Sequence, residues 1–258
     1  MYIFNEFNAL DFCREHFDCF TFLRSSATIL TMRMRRKKNL DTRITSSSDF
    51  MIDLPILPLD VRKAKEIRAY LDIEGIFGRR APLHLEIGCG RGGFVVEMAR
   101  LHPEIDFLAV EKISNVAVSA MEKVKDAGLS NVRIMITGAE YLSSYIPPHS
   151  IDRIYLNFST PMMKRGYEVS RLTSPRLLPM YRGLLGEQGS IFQKTDDEPF
   201  FDFSLESYRE VGYTLLNVTR DLHGEGAVEG DVMTEYERKF VSMGLPIYRV
   251  EAYVESID

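Results

Sequence analysis

The segment LHLEIGCGRGGFVVEMARLHPEIDFLAVE, Leu83 to Glu111, decides the fold of this chain. LHLEI (83–87) is a short apolar run that stops at glycines, GFVVEMARLH (93–102) has helical spacing, and DFLAVE (106–111) is a second short apolar run. Strand, glycine turn, helix and strand make one β-α-β unit, from which parallel sheets are built. Gly88, Gly90 and Gly93 match G-x-G-x-x-G at the turn. Glycines there allow a tight bend and let the backbone approach a ligand closely. The pattern is common to several classes of nucleotide-cofactor enzyme, so alone it names a kind of ligand and no reaction.

The same alternation continues downstream. Val116, Ala120, Val124 and Ala127 recur at helical spacing, with Gly128 as a C-cap. VRIMIT (132–137) and IDRIYLNF (151–158) read as strands, and SPRLLPMYRGLL (174–185) as a helix with Pro175 in its first turn. SIFQKT (190–195) is a strand, FDFSLESYREVG (201–212) a helix and YTLLNVTRDL (213–222) a strand. TEYERKFVSMG (234–244) is a helix and IYRVEAYV (247–254) a last strand. This order predicts an α/β fold, a doubly wound and mainly parallel sheet with helices on both faces. A ligand then belongs at the carboxyl ends of the strands, near the switch point.

Two acids fall at such ends. Glu86 precedes the first glycine by two residues, which suits a ligand with a cationic amino-acid end and repels a pyrophosphate. Glu111 closes the second strand, where a carboxylate accepts hydrogen bonds from ribose hydroxyls. Gly138 and Ala139, after the third strand, leave room for an adenine ring. These residues together point to S-adenosylmethionine as cofactor. An oxidoreductase using a nicotinamide cofactor is disfavoured by Glu86 and by the lack of a second substrate domain.

Composition bounds the rest. The chain has 258 residues, of which 45% are hydrophobic, enough for one sizeable core. No apolar run approaches the roughly 20 residues that span a bilayer. MYIFNEFNALDF, with Glu6 and Asp11, is not a secretory signal. Three cysteines, Cys13, Cys19 and Cys89, form no disulfide framework, and a cytoplasmic location is expected. Cys13, His16 and Cys19 have metal-like spacing but lack a fourth ligand, so no metal is expected. The aromatic-rich residues 1–31 suggest that translation begins at Met32 or Met34. The net charge is -5, yet cations cluster at Arg33, Arg35, Arg36, Lys37 and Lys38, and again at Lys164, Arg165, Arg171, Arg176 and Arg182. Such clusters fit a polyanion as well as solvent. Residues 41–59 read as a linker or arm, which sets residues 1–59 apart from a domain over 60–258.

From Glu86 to Tyr253 the chain resembles the bacterial tRNA (guanine-N7)-methyltransferases. EIGCGRGGF, LAVE, DRIYLNF, QKTDD and TEYERKF with GLPIYR carry the resemblance, and MRMRRKKNLD is similar to that family's usual beginning. The resemblance implies a seven-stranded methyltransferase (Rossmann-like) sheet with an antiparallel last strand. It implies methyl transfer from S-adenosyl-L-methionine to N7 of a guanine in the variable loop of tRNA. Glu86, Gly88, Gly90, Glu111, Gly138, Ala139 and Thr160 are then the expected cofactor contacts. Lys164, Asp196, Thr234 and Glu237 are the expected substrate contacts. The partner is tRNA, with no membrane, and the protein is expected to be a monomer or homodimer.

The chain departs from the family pattern at two places. Gly138 stands where the family has an acid. NFSTPMMKRGYEVSRL stands where it has NF-P-D-P-W-P-K-K-R-H, so Thr160 replaces the presumed catalytic aspartate and Met162 the tryptophan. Guanine N7 carries a lone pair and no proton, so its methylation needs no general base. Losing one charged hydrogen bond costs about 1.5–3 kcal/mol, which slows such a reaction without abolishing it. Two other readings stay open: a methyltransferase for another RNA or a small molecule, and a cofactor-binding protein impaired in catalysis. Thr234 and Glu237 also spell a helix capping box, T-x-x-E.

Overall fold

The computed structural model describes residues 36–58, 60–164, 166–224 and 232–254. Cys13, His16, Cys19, the proposed start at Met32 or Met34, Arg33, Arg35 and Arg165 lie outside the described residues. Strands β1 (Leu83–Ile87), β2 (Asp106–Glu111), β3 (Val132–Ile136), β4 (Ile151–Asn157), β5 (Leu185–Thr195), β6 (Tyr213–Thr219) and β7 (Tyr248–Val254) form one seven-stranded sheet. Its order is β3-β2-β1-β4-β5-β7-β6. β1 is parallel to both β2 and β4, β4 is parallel to β5, and β7 runs antiparallel to its two neighbours. The chain reverses its direction of travel across the sheet between β1 and β4, which opens a crevice at their carboxyl ends.

Strands β1 and β2 are buried on both faces, which is why they read as continuous apolar runs. Alternate residues supply two cores. Leu83, Leu85, Ile87, Leu108, Val110, Ile154, Leu156 and Val250 meet Tyr181, Phe201 and Tyr208 on one face. Phe107, Ala109 and Tyr155 meet Val95, Ala99, Ala117, Ala120, Met121 and Val124 on the other. The latter helices are α4 (Gly93–Leu101) and α5 (Ser114–Asp126), preceded in the chain by α1 (Leu40–Thr45), α2 (Val61–Ala64) and α3 (Ile73–Phe77). The apolar stripe of α5 runs through Ala117, Ala120, Met121 and Val124, and Val116 lies beside it, half-buried.

Of the two readings of residues 41–59, linker or arm, the second describes what is seen: α1 docks on α5 through Arg43 and Glu122 (Nη2 to Oε2, 2.6 Å), and the Ile52 amide donates to Ile134 O at 2.9 Å. This arm covers the outer edge of β3. Other readings of the sequence change. The helix expected from Ser174 is α7 (Leu178–Leu184), after the one-turn α6 (Leu142–Tyr145). Pro179, not Pro175, occupies its first turn, because residues 171–177 are spent on successive tight turns such as Leu177 N to Ser174 O, 2.9 Å. The strand expected to run through Phe158 ends at Asn157, because Phe158 takes a left-handed φ of 50°. Helices α8 (Glu198–Glu210) and α9 (Glu235–Ser242) complete the α-helices of the described residues.

His84 on β1 is buried against Phe107, with its Nδ1 3.2 Å from the Tyr155 hydroxyl. Burial, reinforced by nearby Arg153, lowers its pKa from 6.5 to about 3. The unfolded chain therefore takes up a proton near pH 6.5 that the folded chain refuses, and stability falls as pH drops through that interval. The loss should reach about 2 kcal/mol by pH 5. Thermal melts between about pH 7 and pH 5 should show a smaller fall for His84→Gln than for the wild type.

Candidate functional site

The glycine turn after β1 is held against β2. Gly88 N and Cys89 N both donate to Val110 O, at 2.8 and 3.0 Å. Gly88, Gly90 and Gly92 have φ of 81°, 57° and 75°, a region that side chains disfavour. The third glycine that the fold requires is thus Gly92, where the motif reading placed Gly93. Gly92 caps α4, and a Cβ on it would lie 2.7 Å from Ala120 Cβ, so it also sets how closely α4 and α5 pack. Gly93 has ordinary helical backbone, and its Cα faces the Glu235 side chain.

The two acids sit on either side of this turn. Glu86 is 3% exposed, and its Oε1 accepts from Asn157 Nδ2 at 3.2 Å, across the switch point between β1 and β4. Glu111 accepts from Gly90 N (Oε2, 3.1 Å) and Ile113 N (Oε1, 2.9 Å). A carboxylate oxygen has two lone pairs, so Glu111 can hold the turn and still accept from a ligand hydroxyl. At the end of β3, Gly138 and Ala139 are buried. The Glu140 carboxylate folds back so far that a Cβ on Gly138 would come within 2.5 Å of its Oε2. The strand end that lacks its expected acid thus has one from two residues later.

The loop after β4 carries the second half of the site. Phe158 is buried among Leu222, Ile247 and Tyr236, and its amide donates to Lys194 O at 2.8 Å. Thr160 is half-buried beyond it, and the buried Ser159 hydroxyl has no hydrogen-bond partner among the described residues. Lys164, Met163 and Tyr167 are exposed. Arg171, counted with Lys164 in a basic cluster, instead donates to Pro161 O (2.7 Å) and lies over the Phe203 ring at 4.2 Å. Arg182 likewise donates to Val211 O at 3.1 Å. The sequence cluster therefore divides into anchors and exposed cations, Lys164 and Arg176 being exposed.

Asp196 follows β5, and burial pushes its carboxyl above the usual range. The helix cap at this point is its neighbour Asp197, which accepts from Phe200 N at 2.7 Å. Thr234 and Glu237 form the capping box, with Thr234 Oγ1 accepting from Glu237 N (2.8 Å) and Glu237 Oε2 from Thr234 N (3.1 Å). Glu237 is fully buried, and both its oxygens lie 3.1 Å from Lys194 Nζ. His223 Nε2 is 3.0 Å from Oε1.

A family model described as a putative methyltransferase matches residues 80–250. The chain is 38% identical over 224 residues to the tRNA (guanine-N(7)-)-methyltransferase of Bacillus subtilis, covering 85% of this chain and 98% of that protein. It is 44% identical over 177 residues to the one from Geobacillus kaustophilus, covering 69% and 81%. The chain belongs to the tRNA (guanine-N7)-methyltransferase family. The fold is also that of the 16S rRNA methyltransferase KamB (TM-score 0.54, 17% identity, 73% of this chain and 98% of that one).

In this methyltransferase the expected cofactor residues Glu86, Gly88, Gly90, Glu111, Gly138 and Ala139 all lie at the ends or turns of β1, β2 and β3. Thr160 and Lys164 follow β4, and Asp196 follows β5, along the same edge of the sheet. Thr234 and Glu237 reach it through α9, with the Glu237 side chain turned wholly inward. Asn157 and Lys194 went unassigned in the sequence. A lysine inside the strand SIFQKT was the available signal, because a buried ammonium demands an acid. Breaking a buried pair leaves an uncompensated charge and costs about 3–5 kcal/mol. Lys194→Met should therefore lower the denaturation midpoint sharply, and Lys194→Met combined with Glu237→Gln should recover part of the loss in urea melts.

Proposed function

We propose that this protein transfers a methyl group from S-adenosyl-L-methionine to N7 of a guanine in the variable loop of tRNA. The observation that carries this reading is the joint presence, on one sheet edge, of a glycine cradle flanked by Glu86 and Glu111 and of the family's YLNF, KTD and TEYE segments. Left-handed Gly88 and Gly90 expose the backbone of the cradle, and a buried carboxylate faces the first turn, so the residues present fit this cofactor. S-adenosylmethionine supplies an electrophilic sulfonium methyl group, and guanine N7 bonds to that carbon as the carbon–sulfur bond breaks and sulfur keeps the pair.

The chain's own residues act by holding and aligning. Glu86 accepts from the amino-acid end of the cofactor and Glu111 from its ribose. Gly138 and Ala139 make room for adenine, and the Glu140 carboxylate beside them accepts from its exocyclic amine. Asp196, whose carboxyl burial pushes above the usual range, accepts from the guanine base. Thr160 lines the passage between the two. Lys164 meets phosphate, which positions RNA without reading its sequence. Tyr167 offers an exposed ring for a neighbouring base. Thr234 and Glu237 shape the wall of the substrate side. No general base is required, and rate comes from near-contact geometry.

Residues 1–59 are proposed as an extension with a basic arm and residues 60–258 as the transferase domain. No helix of the described residues is long and apolar enough to cross a membrane. We place the protein in the cytoplasm, where tRNA is processed, as a monomer or homodimer.

The test is incubation with labelled methyl donor and unmodified bacterial tRNA, followed by mapping of 7-methylguanosine. Label in the variable loop is expected; cofactor binding without transfer would sink the proposal. Restoring the family's acid by Thr160→Asp should raise kcat about tenfold, the worth of one charged hydrogen bond. Affinity for tRNA should fall steeply between about 50 and 200 mM salt, and Lys164→Ala should reduce that slope by about one counterion.

A further inference from the structure

The first turn of α9 touches both halves of the site through successive residues. Glu235 leans over the start of α4: its Oε1 is 3.2 Å and its Cγ 3.3 Å from where a Cβ on Gly93 would lie. The same Oε1 is 2.5 Å from Lys123 Nζ on α5, and that ammonium holds the carboxyl below its usual range. Tyr236 points the other way. Its ring is 5.1 Å from Phe158 and stacked on Phe240 at 4.7 Å. Glu237, next in sequence, is fastened to Lys194 of β5, whose carbonyl receives the Phe158 amide. One helical turn therefore borders the cofactor turn, the loop after β4 and the end of β5.

Phe158 needs such support. A bulky side chain in the left-handed region is strained and persists only where its surroundings over-determine it. Its bend ends β4 at Asn157, so Ser159 and Thr160 continue outside the strand. Release of the ring would let the chain relax toward extended backbone and carry that loop away from the cofactor turn. Glycine at 93 is explained from the other side, since its own φ does not require one and its Cα is overlain by Glu235.

We propose that Glu235 and Tyr236 are positioning residues, which brace the cofactor turn at Gly93 and the substrate loop at Phe158 and so fix the distance between methyl donor and acceptor. The proposal rests on the methyltransferase reading above. It assigns to TEYE an alignment role distinct from contact with the nucleic acid. The two arms differ in strength. The Glu235–Lys123 pair is partly exposed, so its effect is small. The aromatic arm controls alignment, where a displacement of about 1 Å costs on the order of a hundredfold in rate.

The full-length protein and its variants are to be compared by calorimetric titration with S-adenosylhomocysteine, without RNA, and by steady-state methylation of tRNA. Tyr236→Ala should lower kcat tenfold or more, with the tRNA KM and the cofactor Kd within twofold of wild type. Tyr236→Phe, which keeps the ring, should restore most of kcat. Glu235→Ala and Lys123→Ala should each weaken cofactor binding about threefold and leave the tRNA KM unchanged. A raised tRNA KM at unchanged kcat in Tyr236→Ala would overturn the proposal in favour of direct RNA contact. Equal damage from Tyr236→Phe and Tyr236→Ala would overturn the ring's role. Unchanged cofactor Kd in Glu235→Ala would overturn the Gly93 arm, and because that titration uses no RNA it stands even if the wild type fails to methylate tRNA.

Discussion

The carboxylate of Glu237 lies at zero exposure between Lys194 Nζ, His223 Nε2 and the amide of Thr234. A charge so placed is tolerated only when paired and hydrogen-bonded. His223 must present its Nε2–H to it, because a carboxylate can only accept. This ion pair joins β5, in the middle of the sheet, to a helix that arrives from far along the chain. The position of α9 follows from it, and with α9 come the Tyr236–Phe158 contact and the cover over Gly93. A structural charge, rather than a catalytic one, thus governs the geometry of the cleft.

The chemistry proposed for the cleft makes that dependence understandable. A nucleophile with a free lone pair asks little of acids and bases, and much of placement. The polar groups at the site are accordingly tied to backbone: Glu111 to the amides of Gly90 and Ile113, Arg171 to Pro161 O, Asp197 to Phe200 N. Glu140 shows how such a site tolerates drift. Its carboxylate comes back to the end of β3, where Gly138 leaves the room for it. The loop after β4 relies on how firmly Phe158 is held.

Much of this was legible before any coordinates. The runs 83–87 and 106–111 match β1 and β2 residue for residue, because buried parallel strands are apolar on both faces and end at glycines or polar residues. The T-x-x-E box was readable because capping is local, spanning three residues. The glycine motif was readable as a pattern and misplaced by one residue, since spacing does not say which glycine bends: Gly92 carries the positive φ and the contact with Ala120. Pro175 and Pro179 satisfied the same start rule for α7, and only the turns of residues 171–177 chose between them.

The sequence by itself determined the β-α-β order, the cradle EIGCGRGG with Glu86 and Glu111, and the family through YLNF, KTD and TEYE. These are local patterns, set by periodicity, backbone freedom and side-chain type within a few residues. Tertiary structure alone decided that Glu237 faces Lys194 from 43 positions away in the numbering, that Phe158 bends left-handed under Tyr236, and that Arg171 anchors a loop. Whether a charged side chain is buried with a partner or exposed to a ligand depends on groups brought together only when the sheet closes. Spacing along the chain carries no record of that encounter.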